Sequence, residues 1–152
     1  MFGHLQVYSA YSFQNSTILI RDLILDAKEK HIDALALTDK NNMFGTLEFS
    51  EACLKNGVKP IFGMEASIMI ESEIYPFVLL AKDDIGYFDL VKICCDINIH
   101  EDKCIRLEDL SLYKDHLFVI SGCPEGIVER LITKEMEDEA VRYLKLFKEL
   151  FQ

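Results

Sequence analysis

Gln6 and Tyr8 occupy alternate positions of the period-two segment HLQVYS (4–9), so a strand there presents both on one face. Asp39 closes the run DALALTD (33–39) and Lys40 follows it. Glu65 sits inside KPIFGMEASIMI (59–70), and Cys123 follows HLFVISG (116–122). Carboxylates and a thiolate gathered at strand ends could ligate a divalent metal or move protons. Imidazoles at the first pair would make this a metal centre. Here an amide and a phenol stand there instead.

Each side chain also has a plain structural reading. Glu65 reads as a solvated strand-end carboxylate or as the partner of Lys40 in a local salt bridge. Cys123 reads as a small buried residue, and Asp39 as a cap for the loop or helix after its strand. His4, His31, His100 and His116 are scattered and read as structural residues. Cys94 and Cys95 fall on the packing face of a helix and need no redox role.

Short apolar runs alternating with helical patterns supply the scaffold. The segments 4–9, 33–39, 59–70, 74–83 and 116–122 read as strands, with Gly63 a bulge or bend. Pro76 restricts the first half of 74–83 to an edge or a bulge. Ser16 can cap a helix carrying Ile20, Leu23, Ile24 and Ala27 on one stripe. Leu47 with Leu54 and Phe49 with Cys53 mark a second helix, closed by Asn56-Gly57. Phe88, Val91 and Cys95 share a face of a third, and another starts near Pro124. The last helix carries Ala140, Tyr143, Leu144, Phe147 and Phe151, with the acidic run 135–139 at its start. Strand–helix alternation with one hairpin implies an α/β fold with a largely parallel sheet. The chain ends at KELFQ with no following strand, and so reads as the front part of something longer.

Composition narrows the class. At 152 residues, 50% hydrophobic and 28% charged, the sequence is globular rather than disordered or collagen-like. No apolar run approaches the roughly 18 residues that span a bilayer. The N-terminus lacks the basic start and apolar stretch of a secretion signal, which implies a cytoplasmic protein. Its 5 cysteines form no CxxC pair, which argues against a disulfide framework or a zinc ribbon. A net charge of −10 opposes a general grip on nucleic acid, because phosphate contacts need Lys or Arg.

Taken in order, HLQVYSAYSF, DALALTDKNNMFGTLEF, GVKPIFGMEASI, FVLLAKDDIGYFDLVKI and LFVISGCPEGIVERLI resemble the start of the bacterial replicative DNA polymerase III alpha subunit. That region is its PHP (polymerase and histidinol phosphatase) domain. The resemblance covers nearly the whole chain and is weakest over 97–112. It implies a distorted TIM-like β/α barrel, here incomplete: an N-terminal part with mainly parallel strands and outer helices. Residues 1–152 would then be a single PHP domain segment, truncated on its C-terminal side.

The resemblance also assigns the site. The family's His-x-His strand is here Gln6 and Tyr8, and its following Asp-Gly is Asn15 and Ser16. Its Thr-Asp-His-Gly block is Thr38-Asp39-Lys40-Asn41, and Pro76 replaces a further histidine. Glu65 and Cys123 keep the family's acid and thiol, and its last two ligands fall beyond residue 152. An amide is a poor ligand and proline is none. An inward Lys40 would repel a cation and pair with Glu65 or Asp39. The expectation is a degenerate site with no metal, cofactor or catalytic residue. The segment would be a structural and subunit-contact scaffold of a DNA-directed DNA polymerase, a nucleotidyltransferase of DNA replication. Magnesium would serve the polymerase domain outside it. Partners would be the rest of the alpha chain and other replisome subunits, with DNA held by the parent enzyme and no membrane. Two alternatives stay open: an active metal-dependent phosphoesterase or 3′–5′ exonuclease, and a free-standing protein-binding module.

Overall fold

Side-chain alternation along each strand decides which face of the sheet a residue serves. In the computed structural model, which describes residues 3–121 and 124–151, one face is packed by helices and the other carries a small apolar cluster of its own. The strands are β1 (Gly3–His4), β2 (Ala34–Leu37), β3 (Lys59–Ile70), β4 (Glu73–Ala81), β5 (Ile105–Arg106) and β6 (Leu117–Ile120). The helices are α1 (Ile20–Glu29), α2 (Thr46–Asn56), α3 (Asp84–Ile99), α4 (Leu107–Leu110), α5 (Ile127–Thr133) and α6 (Glu137–Phe151). Strand order is β1-β2-β3-β4-β6, with β5 on the far half of β3. β1, β2, β3 and β5 pair in parallel; β4 is antiparallel to both β3 and β6. All strands therefore run one way except β4, the return arm of the expected hairpin. The result is the curled, incomplete α/β barrel with mainly parallel strands and outer helices.

The core follows the same alternation. Leu35 and Leu37 pack with Ile20, Ile24, Phe49 and Cys53 of α1 and α2. Met64, Ala66 and Ile68 of β3, with Phe77 and Leu79 of β4, meet Leu90, Ile93 and Ile97 of α3 and Ala140 and Tyr143 of α6. On the opposite face Ala36, Val78 and Leu80 form a small cluster with Ile61 and Ile120. Among the described residues no helix is long and apolar enough to cross a membrane.

Several details differ from the pattern-based expectation. The strand over 4–9 stops at His4, because Val7 is captured by Thr38: Thr38 N–H donates to Val7 O at 2.8 Å and Val7 N–H to Thr38 Oγ1 at 2.9 Å. Ser16 does not cap α1. Its hydroxyl bonds Tyr8 O at 3.0 Å, and Leu19 holds the cap position. In α2 only the Phe49–Cys53 stripe is buried; Leu47 and Leu54 are 72% and 73% exposed. Two residues advance about 200° around a helix, so both stripes cannot face one sheet. In α3 the buried stripe is Leu90, Ile93 and Ile97, while Phe88 and Cys95 are exposed and Val91 and Cys94 half-buried. α5 starts at Ile127 rather than near Pro124, and Leu144 of α6 is exposed.

Pro76 behaves as its chemistry requires. It pairs with Ser67 of β3, while β6 covers only 78–81 of β4, so the proline's other side is an open edge. Gly63 is the first β3 residue paired with β4, after Phe62, the last paired with β2. A Cβ at Gly63 would lie 2.6 Å from Leu79 O, so only glycine lets the two strands meet there.

Candidate functional site

The parallel strands direct their carboxyl ends to one rim, and the segments leaving β1 and β2 meet β3 there. The Thr38–Val7 clamp fixes Val7, and its neighbours Gln6 and Tyr8 both turn toward β3. Glu65 is anchored from the β2 side by its backbone: its N–H donates to Asp39 O at 3.1 Å, and Asn41 N–H donates to Glu65 O at 2.8 Å. The residue is 5% exposed. Gln6 Nε2 donates to Glu65 Oε2 at 3.1 Å and to the Tyr8 hydroxyl at 2.9 Å, and that hydroxyl donates to the same Oε2. Amide, phenol and carboxylate form a closed triangle. A buried carboxylate needs compensation, and two neutral donors provide part of it here.

Asp39 builds a second network beneath the first. It is 2% exposed and accepts from Ser9 N–H at 2.7 Å, Ser9 Oγ at 2.7 Å and Ser12 Oγ at 2.6 Å. The expected cap on the segment after β2 is thus a cap on the segment after β1. Ser12 Oγ also accepts Lys40 N–H at 3.0 Å, so the two loops are tied twice.

The Lys40 side chain does not take the inward position that a salt bridge with Glu65 or Asp39 needs. It is exposed, and it joins none of the ion pairs between described residues. Only its backbone bridges to Glu65. An exposed ammonium keeps its hydration, and a buried pair would lose it. Lys40→Met is therefore expected to shift the denaturation midpoint by less than about 0.5 kcal/mol of stability. A loss above about 1 kcal/mol would show that the ammonium does neutralise Glu65.

The other sequence candidates separate. Pro76 lies two register pairs beyond Glu65–Val78, on the same face of the sheet. Asn15 is exposed and bonds Phe13 O within its own turn at 3.2 Å, away from the triangle. Cys123 lies outside the described residues. Ser9, Ser12 and Asn41 were not picked out from the pattern, yet they organise the rim. Asn41 has φ 53°, and its side chain clamps Ser67 by two bonds of 2.9 Å. The Asn-Asn pair at 41–42 was the available signal, since asparagine tolerates the left-handed region.

The three groups of this triangle are a poor donor set for a metal. Glu65 is the one anionic candidate in the triangle, Gln6 turns its nitrogen toward it, and Tyr8 spends its proton on it. Among the described residues no group of three His, Cys, Asp or Glu is placed to hold an ion.

The PHP domain family model matches residues 4–152. The DNA polymerase III subunit alpha of Bacillus subtilis is 33% identical over 153 residues, covering 99% of this chain and 14% of the relative. Its counterpart from Borreliella burgdorferi is 33% identical over 165 residues, with 99% and 14% covered. The chain thus spans about one-seventh of the length of these relatives. An amidohydrolase from Chromobacterium violaceum aligns in structure at 21% identity and TM-score 0.47, over 60% of this chain and 32% of that one.

Proposed function

Since the chain belongs to the PHP domain family, we propose that it is a non-catalytic scaffold of DNA replication, matching the N-terminal region of DNA polymerase III alpha subunits. One observation carries the reading. The acid at the centre of the rim, Glu65, is buried and held by Tyr8 and Gln6, a hydroxyl and an amide. A carboxylate whose Oε2 already accepts from a phenol and an amide is less available to a cation or for proton transfer. Nucleotide addition and its magnesium ions then belong to polymerase domains outside this segment. The segment contributes shape, and its partners are the polymerase body and other replisome subunits. Its charge of −10 favours contacts with protein over contacts with DNA. Work in replication places it in the cytoplasm.

Elemental analysis after dialysis, paired with a phosphoester hydrolysis assay, tests the reading. Zinc and manganese are expected below stoichiometric amounts, with hydrolysis at the buffer rate. Stoichiometric metal with hydrolysis that Glu65→Gln abolishes in a folded chain would overturn the scaffold and favour a phosphoesterase or exonuclease.

A further inference from the structure

β3 changes partner midway. Residues 59–62 pair with β2, and from Gly63 onward the strand pairs with β4 and, farther on, with β5. The buried apolar residues divide at the same place. Ile20, Ile24, Leu35, Phe49 and Cys53 belong to a cluster before it, and Met64, Ile68, Phe77, Leu90 and Ile93 to a larger one after it. α2 packs on α1 and β3, whereas α3 packs on β3, β4 and β5. At the start of β3 the seam between α2 and α3 is a groove of about 860 Å³, walled by Leu47 and Ser50 on one side and by Asp84 and Tyr87 on the other. Across the seam Phe62 meets the Tyr87 ring edge-on at 5.5 Å, Met43 reaches the larger cluster, and Ala36 and Ile61 join Val78, Leu80 and Ile120. These bridges are small beside either cluster. At the rim the crossing is polar. Gln6 and Tyr8 bond Glu65, the Asn41 side chain holds Ser67, and Asn98 of α3 donates to Asn41 O at 2.9 Å.

We propose that the chain opens in two steps, divided at Gly63, and that the rim network is the latch that couples the two halves. Residues up to Phe62 form one cooperative unit and those from Gly63 onward the other. The first unit opens first, since its apolar cluster is the smaller and apolar burial is the main source of a unit's stability. Opening breaks the β2–β3 ladder and the rim bonds together, while β3, β4 and α3 stay packed. Glu65 then has a structural duty: anchored on the second unit, its carboxylate holds two side chains of the first. Directional bonds suit a latch, because a small displacement is enough to lose them. The inference stands apart from the proposed function, because amide exchange is read without DNA, metal or partner.

Native-state hydrogen exchange of the full chain in a denaturant series is the test. Amides of α1 and α2 are expected to exchange through an opening of lower free energy and shallower denaturant dependence than those at Leu90, Ile93 and Ile97 of α3. Tyr8→Phe removes the hydroxyl that bonds Glu65, and Asn41→Gly keeps the left-handed backbone while releasing Ser67. Each should speed exchange in α1 and α2 about tenfold and leave α3 at the parent rate. Tyr143→Phe releases Glu71 inside the second unit and should leave α1 and α2 unchanged. One opening energy shared by α1, α2 and α3 overturns the proposal. Latch variants that speed all three helices alike, or that leave α1 and α2 at the parent rate, overturn it as well.

Discussion

Replacing Asp39 by alanine is expected to cost about 3–5 kcal/mol, read from the denaturant midpoint, and to speed amide exchange over residues 9–16. Three donors point at this one carboxylate from the segment after β1, at 2.6–2.7 Å, in a site 2% exposed. Alanine leaves Ser9 N–H and two hydroxyls facing a space too small for full rehydration. Each buried unpaired donor costs about 1–3 kcal/mol, and the shares overlap because all belong to one network. Ser12 relays the damage, since its hydroxyl also holds Lys40 N–H at the opposite loop. Asp39→Asn keeps the shape but turns an NH2 group toward a donor, so an intermediate loss of about 1–3 kcal/mol is expected. A loss below about 1 kcal/mol in the alanine variant would mean that the rim holds itself without this carboxylate.

This residue also marks how far the sequence could be read. Thr38-Asp39 at the end of an apolar run announces a polar strand end. The direction of its hydrogen bonds does not follow, because Ser9 and Ser12 lie about thirty residues back along the chain. Local patterning reports local partners. The same limit explains α3, whose apolar residues lie nearly all round it, so periodicity could not choose between the stripe at 88, 91 and 95 and the one at 90, 93 and 97. Where one face alone is apolar, as for Ile20, Ile24 and Ala27 in α1, the burial followed the pattern. Strand alternation was equally legible: Met64, Ala66 and Ile68 go to the helices, and Glu65 goes to the opposite face.

For the site, the positions were legible and the partnerships were not. Gln6, Tyr8 and Glu65 do converge, as alternate strand positions and a strand-end acid suggest. Opposite charge suggested Lys40 for Glu65, but desolvating an ammonium is costly where a phenol and an amide already supply the donors. Hydrogen-bond chemistry won over Coulomb attraction.

Helix propensity alone makes Gly86→Ala stabilising by up to about 1 kcal/mol, since Gly86 lies in the first turn of α3. The structure reverses that sign. A Cβ at Gly86 would fall 2.1 Å from His116 O, 3.1 Å from His116 C and 3.3 Å from Ala81 Cα. All of these are backbone atoms, fixed where Lys82 N–H bonds His116 O at the start of β6. No rotamer relieves the overlap, so α3 has to lift off the ends of β4 and β6. That movement strains the helix cap, in which Asp83 Oδ1 accepts Gly86 N–H at 2.9 Å, and the 2.8 Å contact between Asp83 and His116 Nδ1. A net loss of about 3 kcal/mol or more is expected, measured by urea unfolding. The pH dependence gives a second readout. The Gly86 N–H, and after it His116, hold the Asp83 carboxyl below its ordinary range. A carboxyl lowered in the folded state adds stability above its unfolded pKa, and that share is lost as pH falls through the folded value. The alanine variant loses the cap and so lacks this share, and the gap between the two proteins should narrow in acid. Gly57→Ala separates sterics from conformation: φ there is 73° with no neighbour within 4 Å, so only about 1 kcal/mol is expected from the left-handed backbone. A Gly86→Ala chain as stable as the parent would show that α3 can retreat freely, and the rotation that buries Leu90, Ile93 and Ile97 would then need another cause.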